Sequence, residues 1–123
     1  MTYEDKLNRT KNSYPFHLWL RRLDGGLEQY TQENCDKARK IFDDLIADLA
    51  AKGETAAESE KVESFRIAIE ALNELNDETD GELIETGERE ELCELTNIIA
   101  AAVGLNPDDY GDSEGLASEW REW

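Results

Sequence analysis

The chain has 123 residues, of which 39% are hydrophobic and 35% are charged, and its formal net charge is −17 at pH 7. This length suits one domain, residues 1–123, and no apolar run approaches the ~20 residues that a membrane-spanning helix needs. The negative charge opposes contact with nucleic acid and with anionic lipid, so that a basic protein is the partner that the charge favours.

The first thirty residues are less acidic than the rest of the chain. Residues 1–30 contain five Lys or Arg and four Asp or Glu, whereas residues 31–123 contain eight and twenty-six. We expect the basic side chains of residues 1–30 to dock onto the acidic body of the same chain. This N-terminus lacks the apolar core and small-residue cleavage site of a signal peptide, which predicts a cytoplasmic protein.

A short aromatic helix is predicted within this segment. Pro15 suits the first helical position, and Gly25 and Gly26 end the run. The apolar positions between them follow helical spacing: Phe16, Trp19, Leu20 and Leu23. We expect this helix to flank the longer helices that follow.

Residues 31–52 predict the first long amphipathic helix. Its apolar positions recur three and four residues apart, and Gly53 ends it. Those positions are Cys35, Ala38, Ile41, Phe42, Leu45, Ile46 and Leu49.

A capping box formed by Thr55 and Glu58 predicts the start of a second long helix. One stripe of this helix consists of Val62, Phe65, Ile69, Leu72 and Leu75. Ile67 and Ala71 lie on the other side, and a helix that is apolar on two sides is typical of a central position.

A second capping box, Thr79 with Glu82, predicts a third long helix that ends before Gly104. On a helical wheel its apolar face contains Ile84, Leu92, Leu95, Ile99 and Ala102. Three glutamates point away from that face, and we assign them as candidate partner-binding residues: Glu82, Glu90 and Glu94.

Glu88 differs from these glutamates because it falls in the middle of the apolar stripe. An unpaired carboxylate buried there would cost several kcal/mol, so Glu88 must be paired, hydrogen-bonded or protonated. Arg66 and Arg89 are the candidate cations. Glu85 lies one helical turn before Arg89, where the two side chains can form an exposed ion pair.

Asn106 as an N-cap and Pro107 behind it predict a last short helix. Its apolar stripe consists of Leu116, Trp120 and Trp123. The two tryptophans need a groove, and the Ile67 side of the second long helix is our candidate for it. The predicted fold is therefore all-α, a small helical bundle of three longer helices with short flanking helices at both termini.

The sequence lacks the residue patterns of most enzymes and metal sites. His17 is the only histidine, which excludes the usual Ser/His/Asp and multi-histidine arrangements, and no glycine-rich phosphate loop occurs. Cys35 and Cys93 have no metal-ligand spacing and are expected to be free thiols. We therefore predict no catalytic residue, no metal and no cofactor.

Residues 76–91 offer one alternative, a carboxylate-rich site for a metal or a small ligand. The segment follows a calcium-loop pattern at its first positions, but Gly87 stands at the last position, where a bidentate Glu is required. Glu85 and Glu88 would lie at the centre of such a site.

Short motifs in the helical part of the chain are shared with a known family. They are Asn73 and Leu75, the pairs Glu85-Thr86 and Arg89-Glu90, and Trp123 at the end. Through them residues 30–123 resemble a family of small, acidic, all-helical bacterial proteins known as a domain of unknown function. The chain departs from that family at its N-terminus and at Gly87, where a helix-favouring residue is expected. The resemblance implies a fold and no particular activity.

These observations favour a binding function without catalysis. The acidic surface suits the capture of a basic protein, because long-range attraction raises the association rate and carboxylates can cover a cationic active site. An immunity protein or antitoxin that inhibits a basic toxin is the leading specific hypothesis. The oligomeric state, monomer or dimer, stays open.

Overall fold

The computed structural model describes residues 2–24, Gly26 and residues 31–123, without the side chains of residues 23 and 24. The described residues form helices and connections and no β-strand, which confirms the all-α prediction. None of the helices that they form is both long enough and apolar enough to cross a membrane. The predicted helix stop at Gly25 and the apolar role of Leu23 lie outside what is described.

The α-helices of the described residues fall into short and long elements. In chain order they are α1 (Tyr3–Arg9), α2 (Phe16–Asp24), α3 (Gln32–Lys52), α4 (Glu58–Glu78), α5 (Thr86–Ala102) and α6 (Ala117–Trp120). Single 3-10 turns occupy Thr10–Ser13, Pro107–Asp109 and Gly111–Ser113.

The α1 helix has no counterpart among the predicted elements. Thr2 caps it, since the Asp5 N–H donates to Thr2 Oγ1 at 3.1 Å and the Thr2 N–H donates to Asp5 Oδ2 at 3.3 Å. Leu7 is its one fully buried side chain. A seven-residue helix that buries one leucine shows no apolar periodicity, so the capping box is the only sequence feature that indicates this helix.

The α3 and α4 helices pack against each other in antiparallel directions. Lys37 near the start of α3 lies 3.8 Å from Glu78 at the end of α4. At the opposite end of the pair, Lys52 Nζ donates to Ser64 Oγ at 2.6 Å. Gly53 ends α3 as predicted, with a φ of 86° that favours glycine.

Both capping boxes predicted for the later helices are wrong. Residues 53–56 form a turn closed by a bond from the Ala56 N–H to the Gly53 carbonyl, so α4 begins only at Glu58, and its N-cap Ala57 offers no side-chain bond. Thr79 ends α4 and does not begin α5. Its hydroxyl donates to the Asn76 carbonyl at 2.9 Å, because threonine can satisfy either end of a helix.

The connection before α5 is buried although it is not helical. Leu83 and Ile84 lie in the core, and the Asn76 side chain accepts a hydrogen bond from the Ile84 N–H at 2.9 Å. This bond holds the connection against the end of α4. The α5 helix therefore starts at Thr86, several residues later than predicted. Its end returns to the start of α4, where Lys61 donates to the Val103 carbonyl, so α5 runs antiparallel to α4.

The predicted core stripe of α4 is buried except for Val62, which is half-buried, but the chain end packs on another side of α4 than expected. Ile67 is 56% exposed, and no part of the described chain covers it. Asn73 instead holds the tail, donating from Nδ2 to the Trp120 carbonyl and accepting from the Glu122 N–H, both at 3.0 Å. The tail's backbone groups need polar partners, which Asn73 supplies and Ile67 does not. Trp123 also lies beyond the end of α6.

Lys61 is buried where the start of α4 meets the end of α5. Its Nζ donates to the Glu54 carbonyl at 2.7 Å and to the Val103 carbonyl at 3.0 Å. The ammonium also lies 5.5 Å from the centre of the Tyr3 ring. One cation thus satisfies carbonyls of two connections and touches α1.

Candidate functional site

The first turn of α5 buries a carboxylate. Glu85 is the N-cap residue, and its N–H donates to Glu88 Oε1 at 3.2 Å, so that the Glu88 side chain satisfies a free N–H at the helix start. Glu88 is only 6% exposed. The glutamate that the sequence placed in the apolar stripe therefore lies at the helix N-terminus, where a negative charge is favourable.

The cation beside Glu88 is Arg22 of α2. Arg22 Nη1 donates to Glu88 Oε2 and, at 3.0 Å, to Glu91 Oε1. Its Nη2 donates to Glu91 Oε2 at 3.2 Å, which makes the pair with Glu91 bidentate. The buried Trp19 adds a bond from its Nε1 to Glu91 Oε1 at 3.2 Å. We call Arg22, Glu88, Glu91 and Trp19 the Arg22 clamp.

The two cations predicted for Glu88 are elsewhere. Arg66 pairs with Glu63 and, at 2.8 Å, with Glu70 on its own helix. Neighbours three and four residues away on one helix are within easy reach, so Arg66 has no need of a distant carboxylate.

Arg89 and Glu85 do not form the predicted ion pair. The bond between these residues is a backbone one, from the Arg89 N–H to the Glu85 carbonyl at 2.8 Å. Because Glu85 is the N-cap and not a helical residue, its side chain does not project along the helix toward Arg89.

The three glutamates assigned to partner binding are all exposed. Glu90 and Glu94 lie one turn apart on α5, whereas Glu82 lies in the connection before it, so the predicted shared helical face holds for two of them. None of the three forms an ion pair with another residue in the described part of the chain. Glu94 also lines a groove of about 330 Å³ between α5 and the start of α2.

Most of the basic side chains are held by carboxylates of the same chain. Besides Arg22, those in ion pairs are Lys11, Lys37, Arg39, Lys40, Lys52, Arg66 and Arg121. Of the basic residues near the N-terminus, Arg22 contacts carboxylates of α5 and Lys11 lies 3.9 Å from Asp43, whereas Lys6, Arg9 and Arg21 are exposed. Internal pairing thus occupies most of the cations, and many exposed carboxylates of the described residues form no ion pair.

The described residues contain no group of three or more His, Cys, Asp or Glu placed to hold a metal ion. The first residues of the calcium-loop pattern belong to α4, where Asn76 bonds the Ile84 N–H and Glu78 pairs with Lys37. Both cysteines are free, and burial raises the pKa of the Cys35 and Cys93 thiols.

An apolar groove runs along the outer side of α3 and α4, and we call it the α3–α4 groove. It consists of two adjoining cavities of about 310 and 330 Å³. Its apolar lining is Ile41, Leu45, Ile67, Ala68, Ala71 and Leu75. Ile67 and Ala71 form this second apolar side of α4, as predicted, but the C-terminal tail that was expected to cover it is held at Asn73 instead.

Asp48 forms part of the wall of the α3–α4 groove. It accepts a hydrogen bond from the Ser64 hydroxyl, and Lys52 Nζ lies 3.2 Å from its Oδ2. The Ser64 bond first, and then Lys52, hold the pKa of Asp48 below its usual value. Asp48 is therefore a charged wall residue that is fixed in place.

No protein-family model, curated protein or solved structure matches this chain. Membership of the family of small acidic helical proteins stays a prediction.

Proposed function

We propose that this chain is a non-enzymatic binding domain whose acidic surface captures a basic protein partner. The observation that carries the proposal is the contrast between internally paired cations and exposed, unpaired carboxylates. Glu82, Glu90 and Glu94 are the partner-binding residues on the α5 side. Their combined field attracts a cationic surface over a distance of about one Debye length, ~8 Å at physiological ionic strength.

The proposed scaffold is a small bundle of three longer helices, α3 to α5, with short flanking helices at both termini. The Arg22 clamp fixes the start of α5, so that Glu90 and Glu94 stand on a helix that does not need to be ordered on binding. A preformed surface avoids the ordering cost that a flexible acidic tail would have.

The specific role that fits this surface is inhibition, as by an immunity protein or antitoxin. A basic toxin that acts on nucleic acid presents cations around its active site, and a rigid row of carboxylates can cover them. The same charge opposes nucleic acid and anionic lipid as partners. The alternative metal or ligand site in residues 76–91 has no observation in its favour, because its carboxylates serve α4 and the start of α5.

The test is capture of basic proteins from an extract of the source cells at low salt and their release at high salt. The captured protein is then purified and its association rate is measured with wild type and with the triple variant Glu82→Gln, Glu90→Gln, Glu94→Gln. We expect a slower association for the variant, mostly at low salt, with a smaller change in dissociation.

A matched control removes the same charge elsewhere. Glu4, Glu54 and Glu60 are exposed and are placed near the start of α1 and of α4, away from the start of α5. Their replacement by Gln should slow association less than the α5-side variant does. Equal slowing by both variants contradicts the assignment to Glu82, Glu90 and Glu94, and the absence of any captured basic protein contradicts the proposed function.

A further inference from the structure

We propose that the α3–α4 groove binds an amphipathic helix of the partner, one that carries Lys or Arg beside an apolar face. This inference rests on the proposed function, since it names a second surface and the chemistry of the basic partner that would fill it. The groove lies on α3 and α4 and is distinct from the carboxylates of α5.

The groove exposes apolar surface that the described chain leaves uncovered. Ile67 is 56% exposed in the middle of α4, and Ile41 and Ala71 beside it are half-buried. A single exposed isoleucine is ordinary, but here it stands over a continuous apolar floor between two helices. Such a groove is the usual receptor for the apolar face of a helix.

The two walls of the groove differ in charge. The charged residues that line the groove on the α4 side are Glu74 and Glu78, and those on the α3 side are Lys37, Lys40, Asp44 and Asp48. Glu74 has no ion-pair partner among the described residues, whereas Glu78 lies 3.8 Å from Lys37 of the α3 side. The α4 wall is therefore acidic, whereas the α3 wall is mixed.

This asymmetry fixes the chemistry of the occupant. A partner helix in the groove would place the residues on either side of its apolar face next to the two walls. Because the α4 wall is acidic, Lys or Arg is favoured on the side of the partner helix that faces α4. The groove extends along α4 from Ser64 to Glu78, a length of about 21 Å, which corresponds to about 14 residues of partner helix.

A second copy of the chain and an anionic lipid surface suit the groove less well. Two chains with a net charge of −17 each repel one another, and so do this chain and anionic lipid. A cationic amphipathic helix satisfies both the apolar floor and the acidic wall, and it is also the kind of segment that a basic partner carries.

The test uses a synthetic peptide of about 18 residues with Leu at helical i, i+3, i+4 and i+7 spacing and Lys on both flanks. A scrambled peptide of equal composition keeps the charge and removes the apolar face. We expect wild type to bind the amphipathic peptide at least about tenfold more tightly at physiological ionic strength. Amide chemical-shift changes should cluster at Ile41, Asp44, Ile67 and Ala71.

Two exposed apolar residues provide a variant and its control. Ile67→Ser should weaken peptide binding about tenfold, whereas Leu18→Ser, at a position 39% exposed on α2, should leave it unchanged. Glu74→Gln should weaken binding by a smaller factor that disappears at high salt. Because these three side chains are on the surface, their replacement leaves the core intact, which circular dichroism verifies.

The outcomes separate this inference from the proposed function. Equal affinity for both peptides, together with an unchanged affinity of Ile67→Ser for the captured basic partner, overturns the groove proposal and leaves the proposed function standing. A wild-type chain that dimerises in sedimentation, with Ile67→Ser monomeric, assigns the groove to a second copy and also overturns the proposal. Peptide binding that depends on Ile67, with no basic protein captured from the extract, supports the groove and contradicts the proposed function.

Discussion

Arg22 connects the N-terminal part of the chain to the start of α5. It donates to Glu88 and Glu91, while Trp19 from the same helix donates to Glu91. Glu88 is buried, so the removal of its cation leaves a carboxylate that water reaches poorly. The contact affects the free energy of unfolding mainly because an unpaired carboxylate in the protein interior is unfavourable, and less through the attraction between the two charges.

We therefore expect Arg22→Ala to lower the free energy of unfolding by roughly 1–3 kcal/mol, less than for a fully buried pair because Arg22 and Glu91 are partly exposed. Urea denaturation followed by circular dichroism measures it. Arg21→Ala is the control, since Arg21 is exposed on the same helix and should change stability by less than ~0.5 kcal/mol. Equal losses in the two variants would show that the clamp adds nothing beyond its charge.

The hydrogen bond from Ser64 to Asp48 predicts a dependence of stability on pH. The pKa of Asp48 is lower in the folded chain than in the unfolded chain, where it is ~3.9. The contact therefore stabilises fully above about pH 4, and this contribution is lost as the pH falls through the lower folded pKa. Ser64→Ala should be less stable than wild type at neutral pH, and the difference should shrink in acid.

Urea denaturation of wild type and Ser64→Ala from neutral pH down to about pH 3 measures this difference. Ser59→Ala, at an exposed position on the same helix, is the control and should show no such trend. A difference between Ser64→Ala and wild type that stays constant with pH would mean that packing of Ser64, and not its bond to Asp48, sets the effect.

At the level of whole helices, strong apolar periodicity predicted which segments are helical, whereas polar capping signals alone did not predict where α4 and α5 begin. The α3 helix begins after Thr31 and ends at Gly53 as predicted, because apolar spacing and glycine geometry agree there. Thr79 misled the prediction of α5, since a threonine hydroxyl can bond the carbonyls that end a helix as well as the N–H groups that begin one. Local sequence does not distinguish the two uses.

Gly87 is the second residue of α5, and nothing in its surroundings requires glycine. A Cβ at this position would meet no atom within 4 Å, and its φ is not in the left-handed region. Gly87→Ala should stabilise the chain by about 0.4–1 kcal/mol, because alanine restricts the unfolded chain. Thermal unfolding measures this gain.

The control is Gly53→Ala, which should be destabilising by about 1 kcal/mol, since Gly53 has a φ of 86°. A loss of stability in Gly87→Ala would show that the first turn of α5 needs the freedom of glycine.

The two sides of α4 should respond differently to truncation. Leu72 is fully buried, and Leu72→Ala should cost about 2–5 kcal/mol through lost burial and the cavity that remains. Ile67→Ala on the same helix should change stability by less than ~0.5 kcal/mol, because Ile67 is exposed. Chemical denaturation of both variants tests the orientation of α4, and similar losses would contradict it.

For the molecule as a whole, the exposed carboxylates of α5 work against folding. Glu90 and Glu94 are one turn apart and repel each other, and both add to the repulsion within a chain of net charge −17. The triple variant at Glu82, Glu90 and Glu94 should therefore be as stable as wild type or a few tenths of a kcal/mol more stable at low salt. The gain should disappear at high salt, as thermal unfolding at two ionic strengths would show.

A loss of more than about 1 kcal/mol in the triple variant would mean that one of these glutamates has a structural partner. Such a result would also contradict the assignment of this surface to binding. That assignment assumes that these carboxylates destabilise the fold and are present because binding requires them.

The sequence predicted which residue of the candidate site needs a partner, but it did not predict a partner that is distant in sequence. The position of Glu88 in an apolar stripe was enough to predict that it needs a partner. Its partner Arg22 is 66 residues away in sequence and on another helix, and no local period relates the two. The apolar side of α4 at Ile67 could likewise be recognised, whereas the packing of the tail against Asn73 depends on backbone groups that all sequences share.

Lys61 has a consequence for how the folded chain opens. Lys61 is 7% exposed, and carbonyls from the connection before α4 and from the end of α5 hold its ammonium. An amine reagent can modify it only when those ends separate, whereas the exposed lysines react in the folded state. The acetylation rate of Lys61 therefore reports how often the start of α4 and the end of α5 separate. Acetylation would also remove the charge of Lys61 and so prevent these two ends from packing together again.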